Sequence, residues 1–309
     1  MLKAEHITKQ YQIPGGGHTV FDAVSDVSIE LGDGGVAAIV GESGSGKSTL
    51  ARVLSYVERP DGGRVFLDGL EVSACRRKEL HTVRGKVQLV MQNALGALDP
   101  HQSVGPILEE PLRLLFHMGA EKRKQRCLDL LDMARLERDT LRRRPDELSG
   151  GQQKRLCIAR ALAAQPQHII FDESFSGLDV TLKKQVLDFL KELQSELQIS
   201  FLVITHDLDT AMYMAGTIHV MRRGKIIETL EHPRSFSDFQ EPYSQELVKA
   251  VRSKRRALPA AEPLQMIQTP LLPQHRLPSR RNGPSPLRKA PISPWDLPPA
   301  CSPMRPPIT

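Results

Sequence analysis

The chain has 309 residues, 40% of them hydrophobic and 25% charged, which is typical of a globular protein with a substantial core. No apolar run approaches the length of a membrane span, and the polar start around Lys3 and Glu5 predicts no signal peptide. The four cysteines form no CxxC pair, which argues against a zinc site or a disulfide framework and favours a reducing compartment.

The net charge of +6 comes from the C-terminal segment. Residues 255–309 hold eight basic and two acidic residues, which leaves residues 1–254 with 34 of each sign. Because a neutral body binds a phosphate backbone poorly, no nucleic-acid partner is expected. The segment 255–309 also holds fourteen of the 23 prolines and lacks any helical or alternating apolar pattern. It is therefore predicted to be a disordered, partly polyproline-like tail.

Residues 1–254 alternate strands and helices, which predicts a doubly wound α/β sheet domain. The predicted strands are Leu2–Thr8, Val27–Leu31, Val36–Val40, Arg64–Leu67, Lys86–Met91, His168–Phe171, Ser200–Thr205, Thr217–Met221 and Lys225–Thr229. The predicted helices are Thr49–Val57, Ile107–Met118, Lys122–Leu131, Gly150–Ala164, Leu182–Leu197 and about 243–252. No strand pattern occurs between about 105 and 164, so a helical subdomain is expected to be inserted into the sheet domain there.

The run Gly41–Ser48 matches the phosphate-binding loop pattern GxxxxGK(S/T). It follows the apolar strand Val36–Val40 and precedes a predicted helix, which is the context that such a loop requires. Its glycines let successive N–H groups point inward, and the helix adds its positive N-terminal end. Lys47 is predicted to reach the β- and γ-phosphates and Ser48 to ligate Mg²⁺. The loop thus predicts a nucleoside triphosphate site.

Two further predicted strands end in side chains suited to hydrolysis. Asp172 and Glu173 follow His168–Phe171, and His206 follows Ser200–Thr205. Because ligands bind at the carboxyl ends of parallel strands, these groups are expected beside the phosphate-binding loop. Asp172 is predicted to hold Mg²⁺, usually through a water, and Glu173 to polarise the attacking water. His206 is predicted to hydrogen-bond the γ-phosphate.

The run Leu148–Gln152 predicts a second anion-binding helix end. Ser149 is the expected N-cap of the helix through Ala164, and Gly150 and Gly151 are expected to let a phosphate approach the first-turn N–H groups. A single nucleotide has little need of two such helix ends unless each comes from a different subunit.

Together these motifs resemble, over about residues 1–252, the ATP-binding subunit of an ATP-binding cassette (ABC) transporter, in which two such subunits pair head to tail. The resemblance implies a P-loop NTPase fold of ABC ATPase type that binds ATP and Mg²⁺. Walker A is Gly41–Ser48, the signature is Leu148–Gln152, and Walker B ends at Asp172. The D-loop is Ser176–Asp179, where Gly177 replaces the more usual alanine.

The resemblance also implies roles for individual residues. The catalytic residues implied are Lys47, Gln92, Glu173 and His206, and the Mg²⁺ ligands implied are Ser48, Gln92 and Asp172. Tyr11 stands where the family places the aromatic ring that stacks on adenine. The remaining nucleotide-binding residues implied are Gly41, Glu42, Ser43, Gly44, Ser45, Gly46, Lys47, Ser48, Thr49, Ser149, Gly150, Gly151, Gln152 and Asp179.

Within the family, residues 93–104, Glu110–Leu112 and Pro242–Val251 resemble the peptide/nickel importer group, although Asp99 replaces the group's usual asparagine. This implies an ATPase that works with a second, identical or sibling, cassette subunit and two membrane permeases. It would act indirectly with an extracytoplasmic solute-binding protein and lie on the cytoplasmic face of the membrane. Gln92 is expected to relay closure to the permeases through residues 93–104. The cargo stays open between peptides, nickel and other chelated metals.

Three other functions are weaker hypotheses. A non-transport ABC ATPase acting on nucleic acid or ribosomes is favoured only by the basic tail, because the cassette is single and neutral. An exporter ATPase disagrees with the segments that resemble importers. A metabolite kinase would leave the signature Leu148–Gln152 unexplained.

Overall fold

The computed structural model describes residues 1–12, 19–76, 80–92, 96 and 98–257. All of these belong to one unit, Met1–Pro259. The predicted proline-rich tail lies outside the described residues from residue 258 onward. Its first three residues, 255–257, belong instead to the last helix, which ends at Ala257.

The N-terminal strands form an antiparallel sheet of their own. Within the described residues the strand order is β2-β1-β4-β5, formed by β1 (Leu2–Gln12), β2 (Val20–Leu31), β4 (Gly62–Leu67) and β5 (Leu70–Glu71). The expectation of one doubly wound sheet was wrong for these strands, because they pair antiparallel with one another and not with strands of the central sheet. The predicted strand Val27–Leu31 is only the second half of β2, since the first half begins with three exposed residues and shows no regular apolar alternation.

The central sheet has six strands within the described residues, in the order β10-β9-β3-β8-β7-β6. They are β3 (Val36–Val40), β6 (Val87–Val90), β7 (His168–Asp172), β8 (Ser200–Thr205), β9 (Thr217–Arg222) and β10 (Lys225–Glu231). All pair in parallel except β9 with β10. Every residue of β7 and β8 is buried, as expected for strands covered on both faces. The carboxyl ends of β3, β7 and β8 therefore share one edge.

Outside the helical subdomain, the described residues form five α-helices: α1 (Lys47–Leu54), α2 (Leu80–Lys86), α6 (Val180–Leu197), α7 (Leu208–Met214) and α8 (Pro242–Ala257). Helix α1 stops three residues before the predicted end, because Tyr56 takes a left-handed conformation with φ of 57°. Neither α2 nor α7 was predicted. Since α2 includes Lys86, the strand predicted to begin there starts one residue later.

The predicted helical subdomain consists of α3 (Val104–Phe116), α4 (Ala120–Met133) and α5 (Gly150–Ala163). These helices follow β6 and precede β7 in the sequence, and they pack against one another. Its core contains the fully buried side chains of Leu108, Leu112, Leu130 and Leu156.

Helix α1 is enclosed by both sheets. Leu50 and Leu54, at most 1% exposed, belong to one apolar cluster with residues of the antiparallel sheet, such as Val65, and of the central sheet, such as Ile170. Each such leucine contributes about 2 kcal/mol by burial. The start of α1 is thereby fixed at the carboxyl edge of the central sheet. In the part of the chain described, no helix is both long enough and apolar enough to cross a membrane.

Candidate active site

The loop from Gly41 to Gly46 joins β3 to α1 and is held between β2 and β9. At Gly46, φ is 104°, and a Cβ atom would lie 2.1 Å from the carbonyl oxygen of Ala23. At Gly41, a Cβ atom would lie 2.2 Å from the carbonyl oxygen of Met221. Only glycine fits these two close approaches, and Gly46 also needs a backbone conformation that glycine adopts at no steric cost.

The start of α1 offers positive charge to an anion. Gly46, its N-cap, supplies no side-chain acceptor, and the first turn contains no acidic residue. Lys47 is 4% exposed, and its Nζ donates to the carbonyl oxygens of Gly41 and Glu42, at 2.8 and 2.6 Å, and to Ser45 Oγ at 3.3 Å. These acceptors are all uncharged. Burial lowers the pKa of the Lys47 ammonium, opposed by nearby carboxylates, so a phosphate would stabilise its charged form.

A hydroxyl and a carboxylate meet where Mg²⁺ is expected. Ser48 Oγ donates to Asp172 Oδ1 across 2.9 Å. Asp172 is 8% exposed, and burial raises the pKa of its carboxyl, with the hydrogen bond from Ser48 acting in the opposite direction. A cation would favour the ionised form. Hard oxygen ligands of this kind suit Mg²⁺, so the residues fit the predicted ion.

Glu173 and His206 lie together beside this pair. Glu173 has a left-handed backbone with φ of 47°, and its N–H donates to the Ile204 carbonyl at the end of β8 across 2.9 Å. His206 Nδ1 lies 3.5 Å from Glu173 Oε2, and the histidine side chain is 53% exposed. A strained backbone of this type is often found at functional sites, where it directs a side chain. The strand ends that carry Asp172, Glu173 and His206 are therefore adjacent, as the sequence indicated.

Gln92 is linked to the D-loop. Its Nε2 donates to Ser176 Oγ across 3.1 Å, and Ser176 Oγ donates to the Glu173 carbonyl across 2.8 Å. Lys154, on α5, donates from Nζ to the Gln92 carbonyl across 3.1 Å. Gln92 thus connects the helical subdomain with the strand end that carries Glu173. The sequence contained no signal for the part played by Lys154.

The signature helix end has the predicted cap. Ser149 Oγ accepts from the Gln152 N–H at 3.4 Å, and Gln152 Oε1 accepts from the Ser149 N–H at 2.9 Å, forming a capping box. Gly150 faces open space, whereas Gly151 is buried, and a Cβ atom on it would lie 2.7 Å from Leu182 Cδ1. A side chain at position 151 would therefore displace the Leu182 side chain, where α5 packs against α6.

The remaining predicted residues lie at the edges of the site. The Tyr11 hydroxyl donates to the Glu58 carboxylate, which pairs with Arg52 Nε at 2.7 Å, so Tyr11 lies beside the second half of α1. Asp179 caps α6, because its Oδ1 accepts from the Leu182 N–H across 2.9 Å. Thr49 is buried, and Ser43 and Gly44 are exposed. Roles for Tyr11 and Asp179 at the nucleotide remain predictions.

Tyr243 is a residue of this region to which the sequence interpretation gave no role at the nucleotide site. It lies on α8, is 3% exposed, and its hydroxyl oxygen accepts from the Glu42 N–H across 3.1 Å. The Arg222 guanidinium lies over its ring, 4.4 Å from the centroid. The available signal was the resemblance of Pro242–Val251 to the closing helix of the importer group. Helix α8 thus supports the phosphate-binding loop from outside the central sheet.

Comparison with known proteins agrees with this geometry. Residues 24–176 match the ABC transporter family model. A probable peptide ABC transporter ATP-binding protein from Sinorhizobium fredii is 36% identical over 290 residues, covering 92% of this chain and 80% of that protein. A nickel import ATP-binding protein from Brucella abortus is 37% identical over 257 residues, covering 81% of this chain and 95% of that protein.

A solved structure extends the agreement to the fold. The ATP-binding cassette MJ0796, solved as a dimer in a post-hydrolysis state bound to ADP and phosphate, has a TM-score of 0.68 and 31% identity. The match covers 76% of this chain and all of that one. The resemblance read from the motifs and the ABC ATPase fold are thereby confirmed. The chain belongs to the ABC transporter family, as one of its ATP-binding subunits.

Proposed function

We propose that this chain hydrolyses ATP to energise an importer of the peptide/nickel group. The observation that carries the proposal is the gathering of Lys47, Ser48, Asp172, Glu173 and His206 at one edge of the central sheet. The similarity to ATP-binding proteins of peptide and nickel transporters supports the importer assignment. The cargo would be selected by other subunits, so this chain need not contact it.

The loop and the start of α1 would bind the phosphates of ATP. Lys47 would exchange the carbonyl oxygens of Gly41 and Glu42 for phosphate oxygens, which would satisfy its charge as well as its hydrogen bonds. Ser48 and Asp172 would hold Mg²⁺, with Gln92 as a further predicted ligand. When bound, the ion would neutralise negative charge that develops on the phosphates in the transition state.

Glu173 would accept the proton of the attacking water. Its half-buried carboxylate lies beside His206, which would hydrogen-bond the γ-phosphate and help to position that water. The hydrogen bonds from Gln92 to Ser176 and from Ser176 to the Glu173 carbonyl would make the position of this carboxylate depend on movement of the helical subdomain.

A second cassette would complete each site. The capped end of α5, with Gly150 facing open space, is a second anion-binding helix end and would meet the phosphates held by the partner's loop. ATP would therefore close a head-to-tail dimer, and hydrolysis would reopen it. The dimeric state of the cassette MJ0796 supports this arrangement. Whether the partner is a second copy or a sibling subunit is left open.

The membrane permeases would dock beside Gln92. A cavity of about 470 Å³ lies between β6, α3 and α5, and the apolar part of its lining includes Met91, Leu98, Pro111, Leu114 and Leu115. Met91 and Leu114 are exposed large hydrophobic residues, 44% and 51% accessible. A helical segment of a permease in this cavity would bury them and respond to movement of the helical subdomain. In such a complex the chain would lie on the cytoplasmic face of the membrane.

The proposal is tested by trapping the Glu173→Gln variant with ATP and Mg²⁺ in native membranes and identifying what co-purifies. We expect two multi-span permeases and a cassette subunit, with the solute-binding protein leading to the cargo. A matched Glu173→Gln, Lys47→Ala variant should bind ATP poorly and trap less of the complex. Recovery with nucleic acid or ribosomes and no permease would overturn the importer function and favour a non-transport ATPase.

A further inference from the structure

Phe21 on β2 is an exposed aromatic side chain that the function described above does not use. It lies directly opposite Tyr11 in the register of β1 and β2. Side chains of directly opposed residues project from the same face of an antiparallel pair. Phe21 is 52% exposed, so about half of its side chain is open to solvent.

The contacts of Tyr11 show which face this is. The Tyr11 hydroxyl bonds to Glu58, whose carboxylate pairs with Arg52 in the last turn of α1. The opposite face of the hairpin carries Gln10 and Asp22, which hydrogen-bond to each other across 2.7 Å. Phe21 therefore lies on the face that is turned toward α1.

A bulge brings this part of β2 against the phosphate-binding loop. The register passes from Lys9 opposite Val24 to Gln10 opposite Asp22, so Ala23 has no partner residue on β1. The Ala23 carbonyl is the group that a side chain at Gly46 would strike. Phe21 is two residues from Ala23, at most roughly 7 Å along an extended strand, so it lies near the loop.

We propose that Phe21 binds the nucleobase together with Tyr11, so that the two rings form the base-binding surface of the site. The proposal rests on the proposed ATP site. The base would cover apolar area of Phe21 that water now contacts, and any base offers a π-face for such packing. Phe21 would then add affinity for the nucleoside part of ATP and none for its phosphates.

The first test compares the binding of ATP and of inorganic tripolyphosphate, both with Mg²⁺, by calorimetry. We expect Phe21→Ala to weaken ATP binding about tenfold, at the low end of the effect of removing one stacking side chain, and to leave tripolyphosphate binding unchanged. Val20→Ala is the matched control, because Val20 is 50% exposed but projects from the other face. Equal ATP affinity in Phe21→Ala and the unaltered chain would overturn the inference.

The outcomes separate this inference from the proposed function. If the unaltered chain binds neither ATP nor tripolyphosphate, the proposed ATP site fails and Phe21 has no base to contact. If it binds both and Phe21→Ala binds ATP equally well, only the role of Phe21 fails. Steady-state hydrolysis adds a third readout, because lost base binding should raise KM for ATP and leave kcat unchanged.

A spectroscopic test observes the contact directly. The only tryptophan of the chain is Trp295, so the double variant Phe21→Trp, Trp295→Phe has a single tryptophan, at the proposed base site. We expect ATP to change its emission and tripolyphosphate to leave it unchanged. An emission that responds equally to both ligands, or to neither, would contradict contact between residue 21 and the base.

Discussion

The Ser48 hydroxyl donates a hydrogen bond to the Asp172 carboxylate across 2.9 Å, joining the first turn of α1 to the end of β7. These residues are far apart in sequence, yet parallel pairing of the central strands brings them to one edge. Both oxygen atoms suit Mg²⁺, and the carboxylate is buried enough that a cation would favour its ionised form. The pair therefore defines where hydrolysis would be organised.

Replacing Ser48 with alanine should weaken the binding of the Mg²⁺ ion that supports ATP hydrolysis. The variant loses a hydroxyl ligand and leaves the buried Asp172 carboxylate without this hydrogen bond, a loss of about 1.5–3 kcal/mol for a bond to a charged group. We expect the Mg²⁺ concentration for half-maximal ATP hydrolysis to rise about tenfold or more. Ser48→Thr keeps the hydroxyl and is the control. An unchanged Mg²⁺ dependence in Ser48→Ala would remove Ser48 from the metal site.

Ser149→Ala should destabilise the start of α5. The N-cap hydrogen bond to Gln152 is lost, at a cost of about 1 kcal/mol, which lowers Tm by about 2–4 °C in a domain of this size. Thermal unfolding of the isolated chain measures this effect. Ser149→Thr can still accept the bond and should unfold close to the unaltered chain. If the threonine and alanine variants melt together, the hydroxyl is not acting as a cap.

Tyr243→Phe should loosen the phosphate-binding loop. Removing the buried hydroxyl leaves the Glu42 N–H without its acceptor, a loss of about 1 kcal/mol. We expect a lower Tm and ATP binding weakened by a few-fold, measured by titration with a fluorescent ATP analogue. Tyr213→Phe is the control, because its hydroxyl bonds Asp188 on α6, away from the loop. That variant should lose stability and keep ATP affinity. Equal loss of affinity in both variants would contradict a local role for Tyr243.

His168 should make the fold less stable in acid. Burial, reinforced by the charge of the Met1 ammonium, lowers the pKa of its imidazole from 6.5 to about 4, and neither ring nitrogen has a hydrogen-bond partner among the described residues. The unfolded chain therefore takes up a proton first as the pH falls. Stability contributed by the neutral ring is complete above pH 6.5 and declines until about pH 4, by up to roughly 3 kcal/mol.

Chemical denaturation at several pH values between 7 and 4 measures this decline. The comparison is His168→Leu, which cannot titrate and should show a shallower loss of unfolding free energy over the same window. Parallel curves for the two proteins would mean that His168 does not carry the acid sensitivity.

The parts of the site that depend on local sequence could be predicted. The spacing from Gly41 to Ser48 specifies a loop between a strand and a helix. The apolar runs before Asp172 and His206 specify buried parallel strands, and the carboxyl ends of such strands lie at the same edge of the sheet. The separate antiparallel sheet was missed, because strand pairing depends on neighbours that periodicity does not reveal. The bulge at Ala23 was missed for the same reason.

Contacts between distant residues were the least predictable. Tyr243 meets Glu42 across about two hundred residues, and no spacing rule links them. Gly151 matched the signature, but its burial against Leu182 depends on how α5 crosses α6. The sequence also did not reveal that α8 continues through residues 255–257, because the start of the tail was set by composition alone.

Phosphate release by Glu173→Gln tests whether ATP is hydrolysed at this sheet edge by water activated at Glu173. The amide preserves the shape of the side chain and cannot accept the proton. We expect an unchanged Kd for ATP and a rate of phosphate release lower by about 10²-fold or more, the scale of a lost general base. Hydrolysis at the rate of the unaltered chain would contradict it.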